Sequence, residues 1–209
     1  MFAYCGNNPI CYSDFSGAIR VCAEDRKHCY TPVTEQMQAS TPEDQVYGIV
    51  NGQALLPYAD QSIGWGSCKN SGCAYIAAYN ALQLAGNGKP LATVTDEIYA
   101  YYGSVLFGAL GVAPKVLTDY VGDQVTNSIT AKNVNLLLDG AQDGSVFTFT
   151  VMNKSGNIFK GWHAMTAIYS DGQYLVFNRY SDRSNTYELS SLEDAFKDGR
   201  FLYGIRIDP

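Results

Sequence analysis

The hydrophobic pattern of this chain changes period once, and that change narrows the folds open to it. From residue 73 to about 138, apolar residues recur at helical spacing. From residue 145 onward they alternate in twos. The first part predicts helices over 73–85, about 93–102, about 113–121 and about 130–138. Thr93 or Thr95 caps the second, with Asp96 and Glu97 in its first turn. Pro114 sits early in the third, and Leu136, Leu137 and Leu138 line the inner face of the fourth. The second part predicts strands at 145–151, 163–169, 174–180 and 201–207. A short helix capped by Ser191, with Asp194 at its third position, precedes the last strand. Asp171-Gly172 is the strongest hairpin signal. Helices first and an antiparallel sheet after them make an α+β layout.

The helix at 73–85 begins with a cysteine. Gly72 breaks regular structure before Cys73, and Gly86 stands where a helix-ending glycine belongs. A helix start collects unpaired N–H groups and the positive end of the macrodipole, which ease ionisation of a thiol. Cys68 competes as a nucleophile but sits in a Gly/Ser/Asn loop with no helix behind it. A Cys68–Cys73 bridge formed under oxidation would silence the site.

Histidine occurs twice, at 28 and 163. His163 opens a strand and is the best general base. The hairpin at Asp171-Gly172 is expected to set Asn178 nearly opposite it. The Asn178 side-chain carbonyl would then accept from one ring nitrogen and leave the other for the thiolate. A packing cysteine, a satisfied core histidine and a strand-end asparagine are the bland alternatives for each residue alone; the joint pattern points to nucleophilic catalysis.

Composition removes several classes. The 209 residues are 46% hydrophobic, enough for a sizeable core, and carry a net charge of −6 with no Lys/Arg cluster, so nucleic acid and anionic membrane are not expected partners. No apolar run approaches a membrane span. Met1–Pro9 has neither the basic start nor the apolar centre of a signal peptide. Residues 1–45 read as an irregular leader, and 46–209 as the main domain. Val46–Val50 is a short strand candidate, and Gln61–Asn70 is a Gly-rich approach loop. The leader holds Cys5, Cys11, Cys22 and Cys29. Free thiols, a disulfide, or a zinc site helped by His28 remain open there, but no spacing is C-x-x-C and no metal or cofactor is expected.

Two stretches carry resemblances. Phe2-Ala-Tyr-Cys-Gly-Asn-Asn-Pro-Ile-Cys-Tyr-Ser-Asp-Phe-Ser-Gly17 resembles the closing signature of the core domain in RHS-repeat proteins. It keeps Asn7, Asn8, Pro9, Asp14 and Gly17, with Phe15 where the family has Pro. The resemblance implies that the rest of the chain is the variable tip of such a protein, the place where polymorphic toxins are carried. It also implies delivery outside the producing cell as part of a larger chain, and a neutralising immunity protein as partner. Gly72-Cys73-Ala-Tyr-Ile-Ala-Ala-Tyr-Asn80 and Gly161–Asn178 resemble the nucleophile helix and the His-to-Asn hairpin of bacterial papain-like peptidases, nearest the bacteriocin-leader-processing branch.

That second resemblance implies a papain-like fold and a cysteine peptidase acting on a protein or peptide, with Cys73 as nucleophile, His163 as base and Asn178 as orienter. The family has Cys-Gly where this chain has Cys73-Ala74, and a Gln where it has Ser67. Asn70 is the nearest side-chain amide for an oxyanion hole. A deamidase or acyl-transfer toxin with the same triad stays open, as does a binding tip with a lapsed site.

Overall fold

The computed structural model describes residues 48–57, 59–103, 111–153, 161–196 and 199–209, together with the strand backbones at 11–15, 18–22 and 29–30. In the leader, β1 (Cys11–Phe15), β2 (Ala18–Cys22) and β3 (Cys29–Tyr30) form a three-stranded antiparallel sheet where the sequence reads as irregular. Cys11 pairs in register with Cys22, and Cys22 with Cys29. Residues 1–10 and 16–17, which carry most of the RHS-like signature, lie outside the described residues. So do the side chains of Cys5, Cys11, Cys22, His28 and Cys29.

A small hairpin, β4 (Ser62–Ile63) and β5 (Gly66–Ser67), leads into a single helical turn, α1 (Cys68–Ser71), and then α2 (Cys73–Leu84). Gly48–Val50 is not a strand, and Val46 and Tyr47 lie outside the described residues. Gly72 does not break the helix. It keeps right-handed angles (φ −76°, ψ −13°), so α1 runs almost directly into α2. It must be glycine for a steric reason: a Cβ there would lie 2.4 Å from the Cys68 carbonyl oxygen. Gly86 ends α2 as expected. With φ +75° it lets its own N–H reach Gln83 O (3.2 Å) and the Asn87 N–H reach Leu82 O (2.9 Å).

Helix α3 (Leu91–Glu97) continues as a π-turn over Ile98–Tyr102, and neither Thr93 nor Thr95 caps it, because the helix begins earlier, after Pro90. Helix α4 (Pro114–Asp123) carries its proline at the first position. The predicted helix at 130–138 divides: Ser128–Ala131 is strand β6, and only Val134–Leu138 is helical (α5). Leu137 is buried while Leu136 is exposed, since a five-residue helix turns only one leucine of the run fully inward.

The remaining strands are β7 (Val146–Asn153), β8 (Trp162–Ser170), β9 (Gln173–Phe177), β10 (Tyr187–Leu189) and β11 (Gly199–Ile207). With β6 they form one antiparallel sheet in the order β10-β9-β8-β7-β11-β6. The period-two pattern feeds two cores. Val146, Ala164 and Ile205 join Tyr75, Ile76 and Leu82 of α2 and Leu117 of α4 on one face. Phe147, Phe149, Met165 and Val176 meet Leu137 and Leu192 on the other. Full burial of each such phenylalanine contributes about 1.5–3 kcal/mol. The fold is therefore α+β, with α2 packed across β8 and β7, and among the described residues no helix is long and apolar enough to cross a membrane.

Candidate active site

Helix α2 delivers Cys73 to the start of β8, where His163 stands opposite Val151 of β7. The Cys73 sulfur is hydrogen-bonded to the His163 ring and also accepts the main-chain N–H groups of Ala164 and Ala74. Thr166 Oγ1 donates to Ala77 O at 2.8 Å, tying β8 to the second turn of α2 and fixing the approach of the two elements.

Strand β9 explains why the sulfur can reach this point. The hairpin turn is two residues, Asp171 (φ +52°) and Gly172 (φ +81°), as a tight primed turn requires. Ser170 pairs with Gln173 and Thr166 with Phe177. The register is two residues from the one that would set Asn178 opposite His163, because the turn is centred between Asp171 and Gly172 rather than one residue earlier. Pairing then stops. Asn178 turns left-handed (φ +53°) and leaves the sheet, and the sulfur takes the Ala164 N–H at the margin where β9 has departed.

Asn178 does contact His163, but through its backbone. His163 Nε2 lies 2.5 Å from the Asn178 main-chain oxygen. That carbonyl can only accept, so Nε2 carries the hydrogen and Nδ1 is left for the sulfur. The side-chain carbonyl expected to orient the ring is not used: Asn178 Oδ1 is buried without a partner among the described residues, and Nδ2 donates to Gln53 Oε1 at 3.2 Å. A left-handed turn at Asn178 presents its main-chain oxygen to the ring, a conformation the residue type permits but does not announce.

The electrostatics favour a charged pair. Burial pushes the Cys73 thiol up, but the His163 hydrogen bond and charge, with the N–H groups of Ala164 and Ala74, bring it below the ordinary thiol value. Burial lowers His163, but the sulfur and the Asn178 carbonyl raise it above the ordinary imidazole value. Each ionised partner stabilises the other. Cys68 behaves in the opposite way. It is buried, and burial and the nearby Cys73 charge push its thiol up to about 12, so it stays protonated at neutral pH. Cys73 does not stand at the free helix start that the sequence suggests. The turn α1 precedes Cys73, and its own first N–H groups are taken by Gln61 O and Ala59 O (3.0 and 2.8 Å). Activation rests on His163 rather than on a free helix end.

Cys73 and His163 open onto a cleft of about 400 Å³ walled by Trp162, Met165, Arg179 and Tyr180. Asn70, exposed on α1, lines the same cleft. Two polar residues near the site escaped the sequence reading. Gln53 lines the cleft, and Asn51 Oδ1 accepts the Asn178 N–H at 2.5 Å. Both lie twenty or more residues before Cys73 in a stretch without periodicity. The one hint was two long polar amides in an otherwise apolar 46–56 segment. Among the described residues no group of three or more His, Cys, Asp or Glu side chains is arranged to hold a metal ion. Compared with known proteins, the chain matches no family model and no curated protein sequence.

Proposed function

We propose that this chain is a papain-like cysteine hydrolase, a peptidase in the first instance, serving as the variable effector tip of an RHS-repeat protein. The observation that carries the enzymatic part is the hydrogen-bonded Cys73–His163 pair, with Nε2 of the ring held by the Asn178 carbonyl, open to a cleft. The Cys73 thiolate attacks the acyl carbon. His163 gives its Nδ1 proton to the departing amine as the C–N bond breaks, then takes a proton from the water that cleaves the thioester and frees the thiolate. The Cys73 N–H and Asn70 are the candidates to hold the developing oxyanion. The same steps on a glutamine side chain give deamidation. The toxin setting rests on the resemblance of residues 2–17 alone.

Cleavage of a mixed peptide library, read by mass spectrometry of new amino termini, tests the reaction. The parent chain is expected to cleave, Cys73→Ala to lose all cleavage, and His163→Ala to fall by about 10²–10⁴-fold. Ammonia release without new termini would favour the deamidase. Expression in a test cell checks the setting: Cys73→Ala relieves toxicity if the thiol causes it.

A further inference from the structure

A run of buried amides leads from α2 to Asn178, whose main-chain oxygen meets the His163 ring. Asn80, on α2, holds both main-chain groups of Val50: Oδ1 accepts the N–H and Nδ2 donates to the oxygen, each at 2.9 Å. Next in the chain, Asn51 Oδ1 accepts the Asn178 N–H at 2.5 Å, while its Nδ2 donates to Thr186 Oγ1 at 3.2 Å. Two residues on, Gln53 Nε2 donates to the carbonyls of Cys68 (3.3 Å) and Lys69 (3.0 Å) on α1. Two carbonyl partners demand the NH₂ end of the Gln53 amide, so Oε1 must face Asn178 and receives its Nδ2 at 3.2 Å. Asn51, Asn80 and Asn178 are each 0% exposed and Gln53 is 2% exposed.

Burying amides is unfavourable unless their hydrogen bonds are met, and apolar residues would fill the same space at lower cost. What the amides supply is a fixed backbone. Asn178 sits at φ +53°, a conformation that asparagine tolerates but that is not its default, so its surroundings decide whether it is kept. Three bonds hold it: the N–H to Asn51, the side chain to Gln53, and the carbonyl to His163.

We propose that Asn51 and Gln53 are positioning residues that clamp Asn178 in its left-handed conformation, so that its main-chain carbonyl keeps the His163 ring aimed at Cys73. The inference rests on Cys73 and His163 being the reacting pair. It adds that the member orienting the histidine is a backbone group set from a distant segment. Neither Asn51 nor Gln53 moves a proton or an electron pair.

The test is the pH dependence of iodoacetamide alkylation at Cys73, followed in the full chain by mass spectrometry of the Cys73 peptide. The other charged groups facing this cleft, Lys69, Arg179 and Asp182, are left intact throughout. Gln53→Met keeps the length of the side chain and removes its hydrogen bonds. It is expected to raise the alkylation midpoint by about one pH unit, read as about tenfold slower labelling below the midpoint. If Gln53 acts through the Asn178 side chain, Gln53→Met combined with Asn178→Gly moves the midpoint no further than Asn178→Gly alone. A residue that only stabilised the fold would lower the melting temperature and leave the midpoint in place. An unshifted midpoint in folded Gln53→Met, or a shift that adds to that of Asn178→Gly, overturns the clamp. Should Gln53→Met not fold, Asn51→Ala, which removes the other hold, is read in the same way. A parent chain whose Cys73 midpoint is that of an ordinary thiol sinks the enzyme reading itself, and a depressed parent midpoint untouched by either variant sinks only the clamp.

Discussion

His163 is oriented by the main chain of Asn178: ring Nε2 and the Asn178 carbonyl oxygen are 2.5 Å apart, while the Asn178 side-chain oxygen is turned away from any described partner. The orienting group is therefore one that every residue type possesses, and what distinguishes position 178 is its backbone angle.

Substitutions at 178 should accordingly rank by conformation rather than by side-chain chemistry. Glycine tolerates φ +53° freely, whereas alanine there costs about 1–2 kcal/mol. Asn178→Gly is expected to keep the left-handed angle free of strain while losing the Gln53 hold on it. Asn178→Ala is expected to be less stable and less active than Asn178→Gly. Thermal melting and Cys73 alkylation, run on both, check the order. A glycine variant worse than the alanine variant would overturn the idea that the backbone angle is what position 178 supplies.

The pH profile should have two limbs. Cys73 lies below the ordinary thiol value of 9.0 and His163 above the ordinary imidazole value of 6.5. Peptide cleavage is expected to rise as Cys73 ionises below pH 9.0 and to fall as His163 loses its proton above pH 6.5. Stability follows by linkage. The His163 contribution is complete below pH 6.5 and fades as pH rises through its raised folded value. The Cys73 contribution is complete above pH 9.0 and fades as pH falls through its lowered folded value. Initial rates and urea unfolding across pH measure both, and His163→Ala should flatten each.

The two central cysteines should separate cleanly. Cys68, with its thiol pushed up to about 12, is expected to label far more slowly than Cys73 at neutral pH. Cys68→Ala should retain cleavage. Equal labelling of the two would contradict the pairing of Cys73 with His163.

Asn80 is expected to matter for stability out of proportion to its distance from the sulfur. Asn80→Leu leaves the buried Val50 N–H and oxygen without partners, at a cost of about 2–4 kcal/mol. Urea unfolding gives the value. A loss under about 0.5 kcal/mol would mean that water or a shifted backbone satisfies Val50.

The parts of this fold that follow local rules were legible in the sequence. Gly86 ends α2 where left-handed geometry is needed, Pro114 opens α4, Asp171-Gly172 makes the hairpin, and alternation in 145–151 marks β7 with its two faces. The contact between Cys73 and His163 was also within reach, because a scarce residue at a strand start and a cysteine on a helix narrow the options. What escaped is non-local or conformational. A two-residue shift in register keeps every side chain on the same face, so patterning cannot detect it. Asn178 can serve by side chain or by backbone, and only its φ decides. Asn51 and Gln53 act across more than a hundred residues of chain, in a segment with no repeat to betray it. The leucine run at 136–138 promised a longer helix than Ile129 and Thr130 permit, since both pair with β11 instead.

The early stop of β9 at Phe177 has a consequence for the chemistry. A strand two residues longer would place its own carbonyl on the Ala164 amide and shut the sulfur out, with Cys73 and His163 themselves untouched. The Ala164 amide is thus a native reporter. Capping Cys73 with an alkyl group should speed the hydrogen exchange of that amide while amides deeper in the β7–β8 ladder stay protected, so the sheet itself registers whether the Cys73 sulfur is in its seat.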